Sequence, residues 1–561
     1  MMRKLTTLLL AVLLLFTLAA CGGNEGDGSS APAPSESSQP ASDPADSSDV
    51  KDDPASSDVS GERTTTSGRT RSTTTAKTST TATTADPYIS TVGEKPVTYN
   101  TAILYNKQTS KFDQQAETLR QSILSEKDTV KPSTTGKTYY ISPKGDDANP
   151  GTSKDKPWRT TKNLSNHLIF KAGDVILFER GGVYRNVSFH LTSGVTYGAY
   201  GDSSKPKPQL YGSDKNYADE KLWEKTSTAN VWRLNVGKGF DDVGNFVFDH
   251  GKAIGLKLMN NKLTVDYQFY HDAVKGYVYL YLAAGNPGKV YSDIEICTKE
   301  SMMYTKGAYK AENITIENLC LKYTGAHGIV VQSDTGLQAK NITVRGCEIG
   351  WIGGSLLTAA VRYGNGIEFN GPIDGALVED CWIYQCYDAG YTNQGACYQK
   401  NITVKDNLIE YSPYNIEVWS AKEIGKGGME NCTFSDNVLR FAGFGWGTLN
   451  RHGSNTSVVG NISFYNYVVP CKNVVIRNNV FDCSYRYDVC IVYPNDPEGR
   501  GPTITGNTWN QKPFKNKDSE AVVGQSYLTG NQKVYKCATL DEMKASVAIF
   551  DKAPKAITLE S

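Results

Sequence analysis

Three carboxylates in the second half of the chain stand where an acid pair could act on one substrate: Glu368, Asp388 and Glu417. Each lies on a short alternating segment, Gly366-Ile-Glu-Phe-Asn, Asp388-Ala-Gly-Tyr-Thr and Asn415-Ile-Glu-Val-Trp. Successive side chains of a strand point to opposite faces, so with Ile367, Ala389 and Ile416 inward their neighbours face outward. Glu368 and Glu417 then share an outward column, with Gly390 on the rung between them and Asp388 one outward step back on that middle rung. Strands stacked at about 4.8 Å put the backbones of the two glutamates about 10 Å apart and Asp388 about 8 Å from each. Acids this close raise one another's pKa, which keeps one of them protonated. One carboxyl can then protonate a leaving oxygen while another activates water or attacks, as cleavage of a glycosidic bond requires. Asp388 with Glu417, on adjacent rungs, is the first pair to test.

Residues around the acids widen the chemistry. Arg362 lies in the long turn before Glu368, and Arg451 and His452 lie in a longer loop after Gly443. His327 immediately precedes a strand, and Trp419 points outward, where its flat ring suits the C–H face of a sugar. Trp446 falls at an inward position and reads as core. Arginine and histidine keep β-elimination open as an alternative, because a lyase neutralises a uronate carboxylate and needs a base for the neighbouring proton. Outward acids could hold Ca²⁺ for that purpose. Hydrolysis requires no cofactor, and the chain has no zinc spacing, no phosphate-binding glycine motif and no dedicated calcium loop. Acids outnumber bases on the candidate strands, which places hydrolysis ahead of elimination. A non-catalytic solenoid that only holds a glycan is the remaining alternative.

A repeat must position these residues. Seven segments opening at Asn313, Asn341, Gly375, Asn401, Asn431, Asn473 and Gly501 align with one another. Their fourth positions are Ile316, Val344, Val378, Val404, Phe434, Ile476 and Ile504, and a second column reads Leu321, Ile349, Ile383, Ile409, Leu439, Phe481 and Trp509. Every member of both is apolar. The turn between them carries Leu319, Cys347, Cys381, Asn407, Asn437, Asn479 and Asn507, so four successive rungs place Asn in one column. Stacked amides at the strand spacing hydrogen-bond along the stack as an asparagine ladder. Cys347 and Cys381 fill the same column as small buried hydrophobes. A third strand completes each rung, among them segments at Gly366, Asp388, Asn415 and Gly443.

Three strands per turn with a tight Asn turn between two of them resemble the pectate lyase and polygalacturonase superfamily. The resemblance covers residues 139–510 and implies an all-β, right-handed parallel β-helix whose third strand, after the longer turn, lines a cleft for an extended polysaccharide. Upstream, Tyr139-Tyr-Ile-Ser, Pro157-Trp-Arg-Thr and Gly173-Asp-Val-Ile-Leu look like the opening rungs of bacterial β-helix polysaccharide-degrading proteins. The pattern breaks over residues 213–305 into longer alternating strands such as Tyr277-Val-Tyr-Leu-Tyr, read as a β-rich insertion.

The remaining segments fix the setting. Arg3 and Lys4, an apolar run to Ala20 and then Cys21-Gly-Gly resemble the bacterial lipobox, which implies a lipoprotein signal over residues 1–20 and lipidation of Cys21. Residues 21–92, rich in Ser, Pro, Thr and Ala, are too polar to offset their ordering entropy and read as a disordered tether. Residues 93–138 flank the solenoid and hold a short amphipathic helix over about 111–126, expected at the N-terminal end; residues 139–212 form first rungs, 306–510 the main repeats and 511–561 a C-terminal cap. Lys+Arg and Asp+Glu both number 59, which gives no basic surface for nucleic acid. The expected protein is thus a monomer outside the cytoplasm, held to the membrane through Cys21 and acting on a polysaccharide.

Overall fold

The first strands of the repeats read from the sequence pair with their counterparts one repeat away, parallel and in register. The structure, a computed structural model, describes residues 93–97, 105–239, 242–298, 300–334, 336–358, 361–420, 427–451, 459–464, 470–491, 501–512, 522–528 and 531–561. All of them belong to one compact unit, Ala82–Ser561. Its first sheet starts at Thr138–Ile141 and ends at Thr503–Thr505; its second ends at Ala556–Leu559; its third runs from Phe189–His190 to Asn531–Lys536. One rung reads Ile373–Glu379, Trp382–Cys386, Ala389–Gly395, and the next reads Tyr398–Lys405, Leu408–Glu410, Tyr414–Ser420. The chain is a right-handed parallel β-helix.

Both apolar columns line its bore. Ile316 through Ile504 and Leu321 through Trp509 are fully buried in one continuous cluster. Between them runs the ladder. Each of Asn407, Asn437 and Asn479 donates its side-chain amide to the Oδ1 of the next asparagine at 2.9–3.0 Å, and that oxygen also takes the backbone N–H. The second amide hydrogen serves a carbonyl inside the bore, such as Val378 or Val404. Cys347 and Cys381 continue the column as buried thiols. The residue before each ladder position (Asn318, Gly346, Asp380, Asp406, Asp436, Asn478, Gly506) has φ between 52° and 71°. Left-handed backbone favours Asn, Asp and Gly, which is why the tight turn is written in those three residues.

The C-terminal end of the repeat is closed by named contacts. Asp551 follows the helix Leu540–Phe550 and takes the last ladder amide, accepting from Asn507 N at 2.9 Å and Asn507 Nδ2 at 3.1 Å. Met543, Val547 and Phe550 of that helix plug the bore beneath Trp509. The helix near the N-terminus spans Asp113–Leu124 and does not cover the first rung. It lies on the outer face of the second sheet, where Ala116 and Ile123 pack with Trp382, Tyr384, Leu408 and Tyr411. The cause is visible in the side chains: these second-sheet strands turn apolar rings outward, and Arg120 stacks 4.9 Å over Trp382 while donating to Glu410 at 2.7 Å.

The irregular stretch after the first rungs forms a separate five-stranded sheet of Leu256–Lys257, Gln268–Asp272, Tyr277–Tyr281, Val231–Asn235 and Trp223–Lys225. Its flanking strands, Val243–Phe248 and Ile294–Thr298, return to the second sheet. This places the segment beside the turns that lead to the third sheet: Leu356 N donates to Asp242 at 2.6 Å and Asn450 Nδ2 to Gly255 O at 3.3 Å.

Candidate active site

Pairing in the third sheet sets one outward column: His190, Tyr304, Val330, Glu368, Thr392, Glu417 and Ser463. Their neighbours Ile329, Val331, Ile367, Phe369, Tyr391, Ile416 and Val418 fill the bore, so the acids face outward as expected. Glu368 and Glu417 do share a column with one rung between them. The rung between, however, contributes Thr392 where the alternation placed Gly390. Ala389 pairs with Tyr414 and Tyr391 with Ile416, two residues out of step with the sequence alignment. A slip of two preserves the inward–outward alternation, so pattern alone cannot detect it. Asp388 therefore precedes its strand and stands off the glutamate column, not one step back on it.

A second outward column one step along, Gln332, Asn370, Gln394 and Trp419, is half-exposed. Its amides serve the first column. Asn370 Nδ2 donates to Glu368 Oε1 at 2.9 Å, and Gln394 Nε2 donates to Glu417 Oε2 at 3.3 Å. Asn365 and Thr392 complete the two sets, Asn365 Nδ2 reaching Glu368 Oε2 at 2.8 Å and the Thr392 hydroxyl lying 2.7 Å from Glu417 Oε2. These four partners were missed in the sequence; the correct register would have found Asn370, Thr392 and Gln394, since each lies beside or two residues beyond a column position.

The two glutamates sit in different electrostatic settings. Glu417 is 5% exposed, and burial first, then the charges of Asp388 and Glu368, push its pKa up from 4.5 to about 8. Glu368, 4% exposed, faces an imidazole: His327 Nδ1 lies 3.0 Å from Glu368 Oε2 and 3.2 Å from the Asn365 N–H. The ring nitrogen thus stands within hydrogen-bond reach of both the Asn365 N–H, from which it accepts, and the Glu368 carboxyl.

The arginines are engaged. Arg451 Nη2 donates to Asp388 Oδ1 at 2.7 Å and to Tyr387 O at 3.0 Å, with its guanidinium 4.9 Å over the Tyr387 ring. Arg362 stacks on the same ring at 4.4 Å and donates to the carbonyls of Gly354, Asn450 and Gly244 at 2.6–3.1 Å. Its donors tie the insertion to the two turns, so Arg362→Lys, which cannot span three carbonyls in one plane, is expected to cost about 2 kcal/mol. Chemical denaturation measures this, and a stability equal to wild type would remove the bracing role.

Gly443–Gly447 is not the third strand of its rung. A short helix, Trp446–Leu449, stands there and the strand is Gly460–Phe464. Trp446 is fully buried, but outside the bore, its Nε1 donating to Gln385 O at 2.7 Å. Trp419 is half-buried on the second outward column. His452 and Cys21 lie outside the described residues. Among the described residues, the one trio of His, Cys, Asp or Glu with ligand atoms close enough for a cation is Asp482, Cys483 and Glu560. It lies away from the third sheet, with the Asn510 amide donating to Asp482 and Glu560 and with Arg440 paired to Asp482.

No family model matches the chain. Over 120 residues it is 33% identical to the lacto-N-biosidase of Bifidobacterium longum subsp. longum. That stretch is 20% of this chain, and the chain spans only 7% of the length of that relative. Among solved structures it is similar to the GH136 lacto-N-biosidase from Eubacterium ramulus at 13% identity, with a TM-score of 0.34 over 76% of this chain and 67% of the other. It is also similar to XylC, solved in complex with xylose, at 12% identity and a TM-score of 0.35 over 75% and 82%, and to the pectate lyase Pel9A at 12% and 0.31 over 68% and 76%.

Proposed function

We propose that the protein is a carbohydrate-active enzyme that hydrolyses glycosidic bonds of a polysaccharide, with Glu417 as proton donor and Glu368 as its partner base or nucleophile. The observation that carries this reading is one outward column bearing two glutamates two rungs apart, with Thr392 between them, in unlike settings. Glu417 holds its proton near neutral pH, and Glu368 is steered by two amides and an imidazole. Asp388 acts through its charge, fixed by Arg451, and Trp419 offers a ring at the edge of the Glu417 rung. The local likeness to a lacto-N-biosidase agrees with a glycosidase. The lipobox-like Cys21 supports an extracytoplasmic, membrane-anchored placement.

Incubation of the full chain with plant and cell-wall polysaccharides tests the reading. New reducing ends without near-ultraviolet absorbance are expected. Unsaturated products that absorb there would replace hydrolysis by elimination, and binding without any product would leave a glycan-holding solenoid. Exchange of His327 for Gln separates roles further. Losing the imidazole that steers Glu368 should lower kcat about 10-fold or more and leave KM little changed; an unaltered kcat would make the pair purely structural.

A further inference from the structure

We propose that Tyr304 and Tyr309, with His167 and His190, form a sugar-binding platform on the third sheet, so that a bound glycan runs along the helix axis from Glu368 toward the N-terminal rungs. This rests on the reading of Glu368 and Glu417 as a glycan-cleaving pair. The register supplies the direct link. His190 pairs with Tyr304, Tyr304 with Val330 and Val330 with Glu368, all in the outward column. Tyr304 is therefore two rungs, about 10 Å, from Glu368, and His190 is three rungs, about 14 Å, away. Val330 between them is a low apolar floor.

The rings gather into one group. His190 meets Tyr304 edge-on at 5.7 Å and Tyr309 edge-on at 5.2 Å, while His167 lies 4.0 Å from His190 and 5.2 Å from Tyr309. Tyr309 is 42% exposed, and Leu168 and Ile169 beside His167 are 71% and 44% exposed. Both imidazoles stay neutral: burial and the nearby Lys306 charge lower His167, and burial with His167 and Lys306 brings His190 to about 4. Neutral rings present apolar faces to sugar C–H groups. His190, 5% exposed and accepting the Lys306 N–H at 3.1 Å, backs the two tyrosines from beneath. His167 Nε2 is itself buried and has no hydrogen-bond partner among the described residues, so the platform is offered by the ring faces.

The other direction is shut. Beyond Glu417 the same column continues with Ser463, Cys490 and Gln525, each fully buried. Ala389, Tyr414, Tyr487, Cys490 and Val522 pack over this part of the outer face. The accessible rings of Tyr304 and Tyr309 on one side of the acids and a packed cluster on the other define which way the substrate extends.

Native gels cast with xylan, homogalacturonan or β-glucan test the platform on the full chain. Wild type should be retarded by at least one polymer, and Tyr304→Ala with Tyr309→Ala should weaken that retardation about 10-fold, equal to roughly 1.4 kcal/mol. Tyr309→Ala alone serves if the double variant fails to fold, and Tyr398→Ala, 47% exposed beside the first sheet, should behave as wild type. Retardation unchanged in the tyrosine variants, or absent for wild type with every polymer, overturns the platform. Sugar release is scored separately. Tyrosine-dependent retardation without release would sink the hydrolase reading alone, and release that is indifferent to the tyrosines would sink the platform alone.

Discussion

Glu417→Gln is expected to cut sugar release by about 10²–10⁴-fold while leaving glycan binding in place. Glutamine keeps the shape and can still meet Thr392 and Gln394, but it has no proton to give a leaving oxygen. Wild-type activity should also fall as pH rises through about 8, where Glu417 loses its proton, and the residual activity of the variant should lack that limb. Release unaffected by the substitution would remove Glu417 from the mechanism.

The same carboxyl carries a cost in stability with a definite sign. Its folded pKa, about 8, lies above the ordinary 4.5. Below 4.5 both folded and unfolded chains hold the proton and nothing is lost. As pH rises toward 8 the unfolded chain releases a proton that the folded chain keeps, so wild-type stability declines across that window. Glutamine cannot ionise and escapes the decline. Thermal melts should therefore show Glu417→Gln gaining on wild type between about pH 5 and 8. Parallel melting curves across that range would mean that the buried acid is not held protonated. Activity lost together with stability gained is the signature of a site residue kept against the interest of the fold.

The sequence carried the solenoid well because the bore is periodic in three independent ways. The columns ending at Ile504 and Trp509 repeat apolar volume, the ladder repeats a side-chain amide, and the turn before it repeats a left-handed residue. Each is fixed by contacts between identical positions one rung away, so local text suffices. The third sheet is less regular. Its strand Ala389–Gly395 offers Ala389, Tyr391 and Asn393 at alternate positions, and either register keeps the pattern. Pairing was settled by Tyr391, whose ring fits the bore against Phe369 at 5.7 Å, a volume match that a binary pattern does not contain. That slip moved Asp388 off the column and put Thr392 between the glutamates. The Gly443 segment failed for a related reason: Gly-Phe-Gly-Trp-Gly alternates like a strand, yet Gln385 offers Trp446 both a carbonyl and a side-chain oxygen. Tyr304 and Tyr309 escaped notice because they stand where the insertion rejoins the repeat, outside any aligned column. Long-range partners, not local preference, decide such places.

Removal of the ladder's end should be the most damaging single change to the fold. Asp551 accepts five N–H groups: its Oδ2 takes Asn507 N, Asn507 Nδ2 and Trp509 Nε1 at 2.9–3.1 Å, and its Oδ1 takes Gly506 N and Ala553 N at 3.1 and 3.0 Å. Asp551 is 1% exposed and Asn507 is fully buried, so water cannot replace what is lost. Asp551→Ala leaves several buried donors unpaired, each costing about 1–3 kcal/mol, and a total near 4 kcal/mol is expected after local relaxation. Asp551→Asn discriminates the cause. It keeps the volume but has one acceptor oxygen, and its NH₂ must face either the Asn507 and Trp509 donors or those of Gly506 and Ala553. If acceptors are what matter, Asn should recover less than half of the loss; if only packing beneath Trp509 matters, Asn should equal wild type. Because each rung rests on its neighbours, the loss should begin at the C-terminal end. Hydrogen exchange would then show the amides of Asn507 and Asn479 opening before those of Asn407, and uniform exchange along the ladder would refute an end-cap role for Asp551.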